Sequence, residues 1–314
     1  MSVVVERYLE HFDYNFSSIK DEMYAQIPTE YSQFMRVENT TRPFEKRSYI
    51  GGLGLPVKNR DTERIPFVEA PQGPTAYFTP VNYRLGYQIE RQVIEDELWN
   101  LLGNRPRSML YGTAILMDMV GADLLNNGYT TQSYDMGFTT GSTEPLFSAT
   151  HAREDGGAPW SNLSQQDLPI TVETVFDIIA NNLYNLVDSR GLPIAYSGQF
   201  NLYVPAMNST LWRQAVEVCK SVNNPNTADN RINALPLTFK INPIPMRFLT
   251  QSNRWYLGWE PSSPNYGLVM MVRSTPDITP LKPFGSNDDA WYSRLRTRFT
   301  AGYDNRRGLV AVGA

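Results

Sequence analysis

Residues 51–89 read GGLGLPVKNRDTERIPFVEAPQGPTAYFTPVNYRLGYQI, with prolines at 56, 66, 71, 74 and 80. A proline lacks the amide hydrogen and clashes with the preceding turn, so no helix survives that spacing. Two short extended pieces fit the pattern, RIPFVEA and AYFTPVNYRL. A connection this long with no core element of its own is uncommon and usually functional. Folded back as an open hairpin, about 17 residues per arm reach roughly 55 Å, beyond the radius of a domain this size. Such an arm lies on another molecule or stays disordered.

The flanks differ sharply. Residues 1–48 show no sustained period, yet they carry Tyr8, Phe12, Tyr14, Phe16, Tyr24, Tyr31, Phe34 and Phe44. Solvated tails seldom hold so much apolar surface, so this segment lies along its own body or a neighbour. After the loop the spacing turns helical. QIERQVIEDELWNLLGN, from Gln88, places Ile89, Val93, Ile94, Leu98, Leu101 and Leu102 near one stripe, with Gly103 as the stop. A long helix follows from Arg105, with Pro106 in its first turn and Gly128 as its cap. Apolar residues cover most of its circumference, which predicts burial on several sides.

An amphipathic helix is predicted from Thr171 to a stop at Gly191, a buried strand at Phe200–Val204, and a second helix capped by Asn208. From Ile232 the chain reads as strands. The order is arm, extended loop, long helix, mixed body and strands, an α+β class.

The bulk numbers bound the function. The chain has 314 residues, 41% hydrophobic and 12% aromatic, which is enough to bury a core. Net charge is −4, with no block of like charges, so no patch for gripping DNA or a membrane is expected. Cys219 is the only cysteine, which excludes an intrachain disulfide and a cysteine zinc site; its helical context predicts a small buried hydrophobe. The N-terminus becomes charged within a few residues, unlike a signal peptide. The apolar run near 110–120 is broken by Asp118 and is too short to span a bilayer. A reducing cytoplasm is the expected folding compartment. Arginine outnumbers lysine 22 to 6, a bias favoured at subunit contacts.

The chemistry candidates are few. Ser148, His151 and Asp155 lie within one loop, LFSATHAREDGGAPWSNLS. Triad members normally come from distant elements, and the chain has no G-x-S-x-G elbow. A structural histidine is expected, in a loop pinned by Trp160 and Leu163. Glu95, Asp96 and Glu97 point different ways on a helix, and with Asn287–Asp289 they predict a solvated face or ion pairs with a neighbour's arginines. The Gly51 cluster and GNRPR at 103–107 both lack the Lys-Ser/Thr ending of a phosphate loop. No catalytic, cofactor or metal residue is assigned.

Three stretches resemble one known family. They are YRLGYQIERQVIEDELW, PLFSATHAREDGGAPWSNLS and RLRTRFTAGYDNRRGLVAVGA, in that order. They are similar to segments of the major capsid proteins of tailed double-stranded DNA bacteriophages, with the Hong Kong 97-type fold, nearest to transposable-phage (Mu-type) head subunits. The resemblance implies a non-enzymatic shell subunit. It divides the chain into an N-terminal arm at 1–50, an extended loop at 51–86, a peripheral domain at 87–164 and 286–303 with a spine helix at about 108–126, and an axial domain at 165–285 and 304–314. It implies assembly in the host bacterial cytoplasm into hexamers and pentamers of an icosahedral head in the virion. Double-stranded DNA would be enclosed non-specifically, with no cofactor and no membrane. The portal, a decoration protein and, in the absence of a long helical extension, a separate scaffolding protein or none would be its partners. In some relatives a loop lysine crosslinks to a neighbour's asparagine, and Lys58 is the residue here of that type and rough place. A protein-cargo compartment with the same fold, and a cytoplasmic hydrolase using His151, are the alternatives.

Overall fold

The computed structural model describes residues 27–58, 64–70, 72–90, 92–93, 104–130, 145–164, 167–194, 199–221, 232–263, 266–283 and 290–313. Residues 1–26, 94–103, Glu95–Glu97 among them, and Asn287–Asp289 lie outside this set, and so do the expectations placed on them.

Two sheets share one hydrophobic core. The first has the order β5-β11-β8-β6-β7: β5 Leu163–Ser164, β11 Leu309–Val312, β8 Trp255–Trp259, β6 Gln199–Pro205 and β7 Lys240–Met246. Every residue of β8 and β11 is buried. Continuous apolar runs of this kind mark strands covered on both faces. Pro243 and Pro245 sit in β7, an edge strand, where a missing amide breaks no ladder. Two capped helices pack here, with α numbering following the chain. In α3, Val172–Ile178, the Thr171 hydroxyl accepts from Thr174 N; in α4, Ser209–Lys220, Asn208 Oδ1 accepts from Leu211 N. Each cap satisfies an otherwise orphaned amide.

The second sheet has the order β1-β9-β10-β4: β1 Arg36–Asn39, β9 Leu268–Pro283, β10 Ala290–Tyr303 and β4 Val81–Glu90. Along β10, residues 293–299 alternate buried and outward. The inward set, Leu295, Thr297 and Phe299, faces the core, and Tyr83 of β4 stacks on Phe299 at 4.6 Å. The long helix α2, Asn104–Asn126, packs against this sheet with eleven of its 23 residues buried. It is long and apolar enough to cross a bilayer by composition alone, contrary to the sequence expectation, but its apolar groups are spent on the core. Asp118 within it accepts from the amides of Glu30 and Tyr31, both at 2.8 Å, starting the short helix α1, Tyr31–Phe34.

Several local expectations are corrected. No helix starts at Gln88: β4 runs to Glu90, because Val81, Tyr83, Leu85, Tyr87 and Ile89 repeat every two residues. Gln92 and Val93 are helical. Gly128 does not cap α2 with a left-handed backbone; it makes room for Phe147, whose ring stands 2.7 Å from where a Cβ would be. Gly191 does not stop α3, which passes into a π turn at Ile179–Leu183 and ends there. Gly191, at φ 78°, instead turns the chain between the bridged residues Val187 and Pro193. Leu235–Thr238 forms a short helix, α5, before β7 begins.

Candidate functional site, an assembly surface

The proline-rich segment leaves the body as a two-stranded ribbon. β2, Glu45–Ile50, pairs antiparallel with β3, Gln72–Phe78, from Glu45↔Phe78 to Ile50↔Gln72. The root is fixed in two ways. On one side Phe78 and Ala76 are buried against Val269 and Met271, on the outer face of the second sheet. On the other, Arg47 reaches both Glu38 of β1 and Asp304, the latter at 3.0 Å. Arg36 bridges the same two acids, at 2.6 Å and 3.0 Å. Hydrogen bonds from Arg47 hold the Glu38 carboxyl below its ordinary range, against the opposing effect of burial. Further out, Gly51 is buried, a Cβ on Gly52 would stand 2.8 Å from Asp188 Oδ2, and Arg190 donates to the Glu69 carbonyl.

The tip is the opposite of the root. Leu53, Leu55, Val57, Ile65 and Phe67 are exposed, Phe67 at 95%. The RIPFVEA piece, described at 64–70, is in neither helix nor strand. Lys58 is exposed here too. A row of large apolar side chains held away from its own core marks a surface that something else covers.

A third feature escaped the sequence reading. Arg294, Arg296 and Arg298 alternate along β10 on the outer face, and Arg84 of β4 stands directly opposite Arg296. Burial and the charges of Arg273, Arg296 and Arg84 pull the Arg298 guanidinium below its usual pKa. The strand register thus gathers four arginines on one face, although the sequence shows no block of like charges. The signal was present as R-L-R-T-R, but strand register was needed to add Arg84.

The histidine loop is a structural knot. His151 is 1% exposed and exchanges backbone hydrogen bonds with Trp160, at 2.7 Å and 3.1 Å. Its ring stacks on Trp160 at 4.3 Å, and the Arg307 guanidinium lies 4.8 Å from the same indole. Asn162 is the hub. Its Nδ2 donates to the carbonyls of Leu146 and Arg306, which fixes Oδ1 as acceptor toward Ser148 N and His151 Nε2, both at 2.9 Å. The Nε2 of His151 therefore carries a proton. Asp155 accepts from Gly157 N and pairs with Arg153, and the Ser148 hydroxyl accepts from Thr150 N. Trp160 is buried and Leu163 packs against the core, as expected of the loop's pins. Cys219 is buried, and desolvation pushes its thiol up to about 12.

Comparison with known proteins places this architecture. A family model described as phage capsid protein matches residues 75–312. No curated protein matches the chain. Solved structures share the fold at low identity. The cyanophage P-SCSP1u capsid has a TM-score of 0.59 at 8% identity, over 91% of this chain and 88% of that one. The virus-like particle from Pyrococcus furiosus has a TM-score of 0.52 at 10% identity, over 96% and 99%. The procapsid of bacteriophage JBD30 has a TM-score of 0.50 at 15% identity, over 100% and 76%. The ribbon, the long helix and the paired sheets thus belong to a shell-forming class, and the chain belongs to the phage capsid protein family. It is a major capsid protein of Hong Kong 97-type fold, a component of the virion capsid.

Proposed function

We propose that many copies of this subunit assemble as hexamers and pentamers into an icosahedral head around packaged double-stranded DNA. The observation that carries this reading is the exposed apolar tip on an anchored ribbon, with Phe67 at 95% exposure. A lone subunit gains nothing from holding that row in water. A neighbouring subunit of the same ring is its cover. Interlocked contacts of about 2,000 Å² or more per interface supply the energy, and their heterologous closure sets a finite size.

The two sheets support the domain division. The sheet β5-β11-β8-β6-β7 with α3 and α4 forms the axial domain, and β1-β9-β10-β4 with the α2 spine forms the peripheral domain. β9 pairs with β10, so residues 268–283 go with the peripheral sheet. The segment 1–50 contributes β1 and the ribbon strand β2, and 51–86 contributes the tip, β3 and the start of β4, so both the arm and the loop share strands with the sheet and the ribbon. Assembly takes place in the host cytoplasm, with a scaffolding protein, portal and decoration protein as partners in head building. The role is mechanical rather than enzymatic, and the partners that Asn162 and Trp160 give His151 support that view. The family match favours nucleic acid over a protein cargo as the content.

Electron microscopy of the full chain, expressed alone and with its neighbouring genes, tests the reading. Uniform closed shells are expected in at least one arm; small species in both would overturn it. Deletion of residues 53–69, which spares Ala76 and Phe78, is expected to leave a folded subunit that forms no shell.

A further inference from the structure

The ladder of the ribbon ends at Ile50↔Gln72, just past a register shift between Ser48 and Ile50. A bulge of this kind bends a strand pair, and a lone two-stranded ribbon is weak in water. Among the described residues, no strand pairing joins the two arms beyond that point. Both arms instead meet one turn of the body. On the outgoing arm Gly51 is buried, and a Cβ on Gly52 would stand 2.8 Å from Asp188 Oδ2. On the returning arm the Glu69 carbonyl accepts from Arg190 Nη2. Past these contacts Leu53, Leu55, Val57 and Phe67 are exposed.

The turn that receives the arms is rigid for local reasons. Val187 and Pro193 form an antiparallel bridge, and Asp188 N donates to Leu192 O at 2.8 Å. Asp188 Oδ1 accepts from Arg190 N and Leu192 N, at 2.8 Å and 2.9 Å. These two bonds lock the carboxylate in an Asx-type turn and leave its other oxygen facing Gly52. Gly191 takes φ 78°, the left-handed value that closes the turn. Gly52 has no left-handed backbone, so close approach explains the glycine there.

The same turn rests on the histidine loop. Arg307, 4% exposed, donates from Nε to Val187 O at 2.9 Å while its guanidinium covers Trp160. Its Nη2 stands 3.4 Å from Glu154. The Arg153 guanidinium fills the space beside Gly191, 2.8 Å from where a Cβ would be, and pairs with Asp155.

We infer that the turn 187–193 is a fulcrum that fixes the direction of the ribbon beyond Ile50, and that the loop 151–160 is the seat of that fulcrum. Gly52, Asp188 and Arg190 are its positioning residues. The tip is aimed before anything covers it, which removes the ordering cost that a swinging arm would carry into association. The inference concerns the free subunit and stands apart from what the tip meets.

The test is the distribution of distances between two spin labels on the full chain, held unassembled at low concentration and read by pulsed electron resonance. The labels sit at Val57→Cys on the tip and Thr210→Cys on α4, both exposed positions. Cys219 is buried with its thiol pushed up to about 12, so it stays unlabelled. Val57 lies at most about 17 Å beyond Gly52, so a swing of about 20° moves it by roughly 6 Å. The doubly labelled chain is expected to give one narrow distance. Arg190→Ala is expected to widen the distribution by roughly those 6 Å, with an unchanged urea midpoint. Gly52→Val is expected to displace the peak, because its added methyls meet the locked Asp188 carboxylate. Arg153→Ala is expected to widen it less than Arg190→Ala does. A broad distribution without any of these changes overturns the inference, and so do unaltered distributions in both Arg190→Ala and Gly52→Val. An unaltered distribution in Arg153→Ala overturns the role given to the histidine loop. A narrow distance that widens in Arg190→Ala, in a protein that forms no shells, sustains the fulcrum and removes the container reading.

Discussion

Trp255 and Phe67 are both large apolar side chains, one wholly buried in a strand and the other 95% exposed in a segment that is neither helix nor strand. Trp255 belongs to a strand whose partners on both sides come from its own chain, and its indole donates to Leu168 O at 2.9 Å. Phe67 belongs to a segment anchored at the ribbon root and at the Glu69 carbonyl, with its own ring uncovered. The contrast separates residues that serve folding from residues that serve association. Hydrophobicity alone does not distinguish the two, whereas the presence of a covering element does.

Trp255→Ala is the harshest way to sharpen this contrast. It is expected to destabilise the subunit by about 3–5 kcal/mol, read as a lowered urea midpoint. Phe67→Ala is expected to leave that midpoint in place while shell yield falls, read by light scattering. A shifted midpoint for Phe67→Ala would break the comparison. Asn162→Ala comes next. It strands the amide of Ser148 and two carbonyls, and is expected to cost about 2–4 kcal/mol by the same measurement.

Smaller effects lie at the ribbon root. Arg47 is partly exposed, so Arg47→Ala should change global stability by only about 1 kcal/mol. Its clearer signature is faster amide exchange in residues 45–50 and 72–78 than in β8. The smallest effect is one of pH. The Glu38 carboxyl is depressed below its usual 4.5, so its contribution is fully present above that value. It is lost as pH falls through the lowered folded value. Exchange at the ribbon root should therefore accelerate in acid below 4.5 before exchange in β8 does.

Where the sequence pattern was local, it was legible. The long helix, the strand around Phe200 and the helix capped by Asn208 follow from spacing and caps within one segment. The proline-broken stretch announced an arm, and the structure shows a ribbon with an exposed tip. Where the pattern was ambiguous, the helical reading lost: β4 satisfied a period of two as well as its last residues fitted a helix, and its partner β10 decided the matter. Gly128 looked like a cap because the ring of Phe147 is remote in sequence. Asn162 gave no signal, because its partners come from Leu146, Ser148, His151 and Arg306. The arginine strip needed the register of two strands more than two hundred residues apart.

β9 and β10 lie side by side as strands of 16 and 14 residues, roughly 48 Å for the shorter. Leu268, Phe299 and Ala301 sit in the common core, while the other ends extend along the β1-β9-β10-β4 sheet toward Pro283 and Ala290. Ile278, Ala290, Ser293 and Leu295 are buried as well, so the pair is a long lever held along its length by β4 and α2. If the whole lever tilted by about 10°, its far end would move by roughly 8 Å, more than the spacing between neighbouring strands. A small rotation of the subunit body thus becomes, at the far end of β9 and β10, a displacement on the scale of a whole strand.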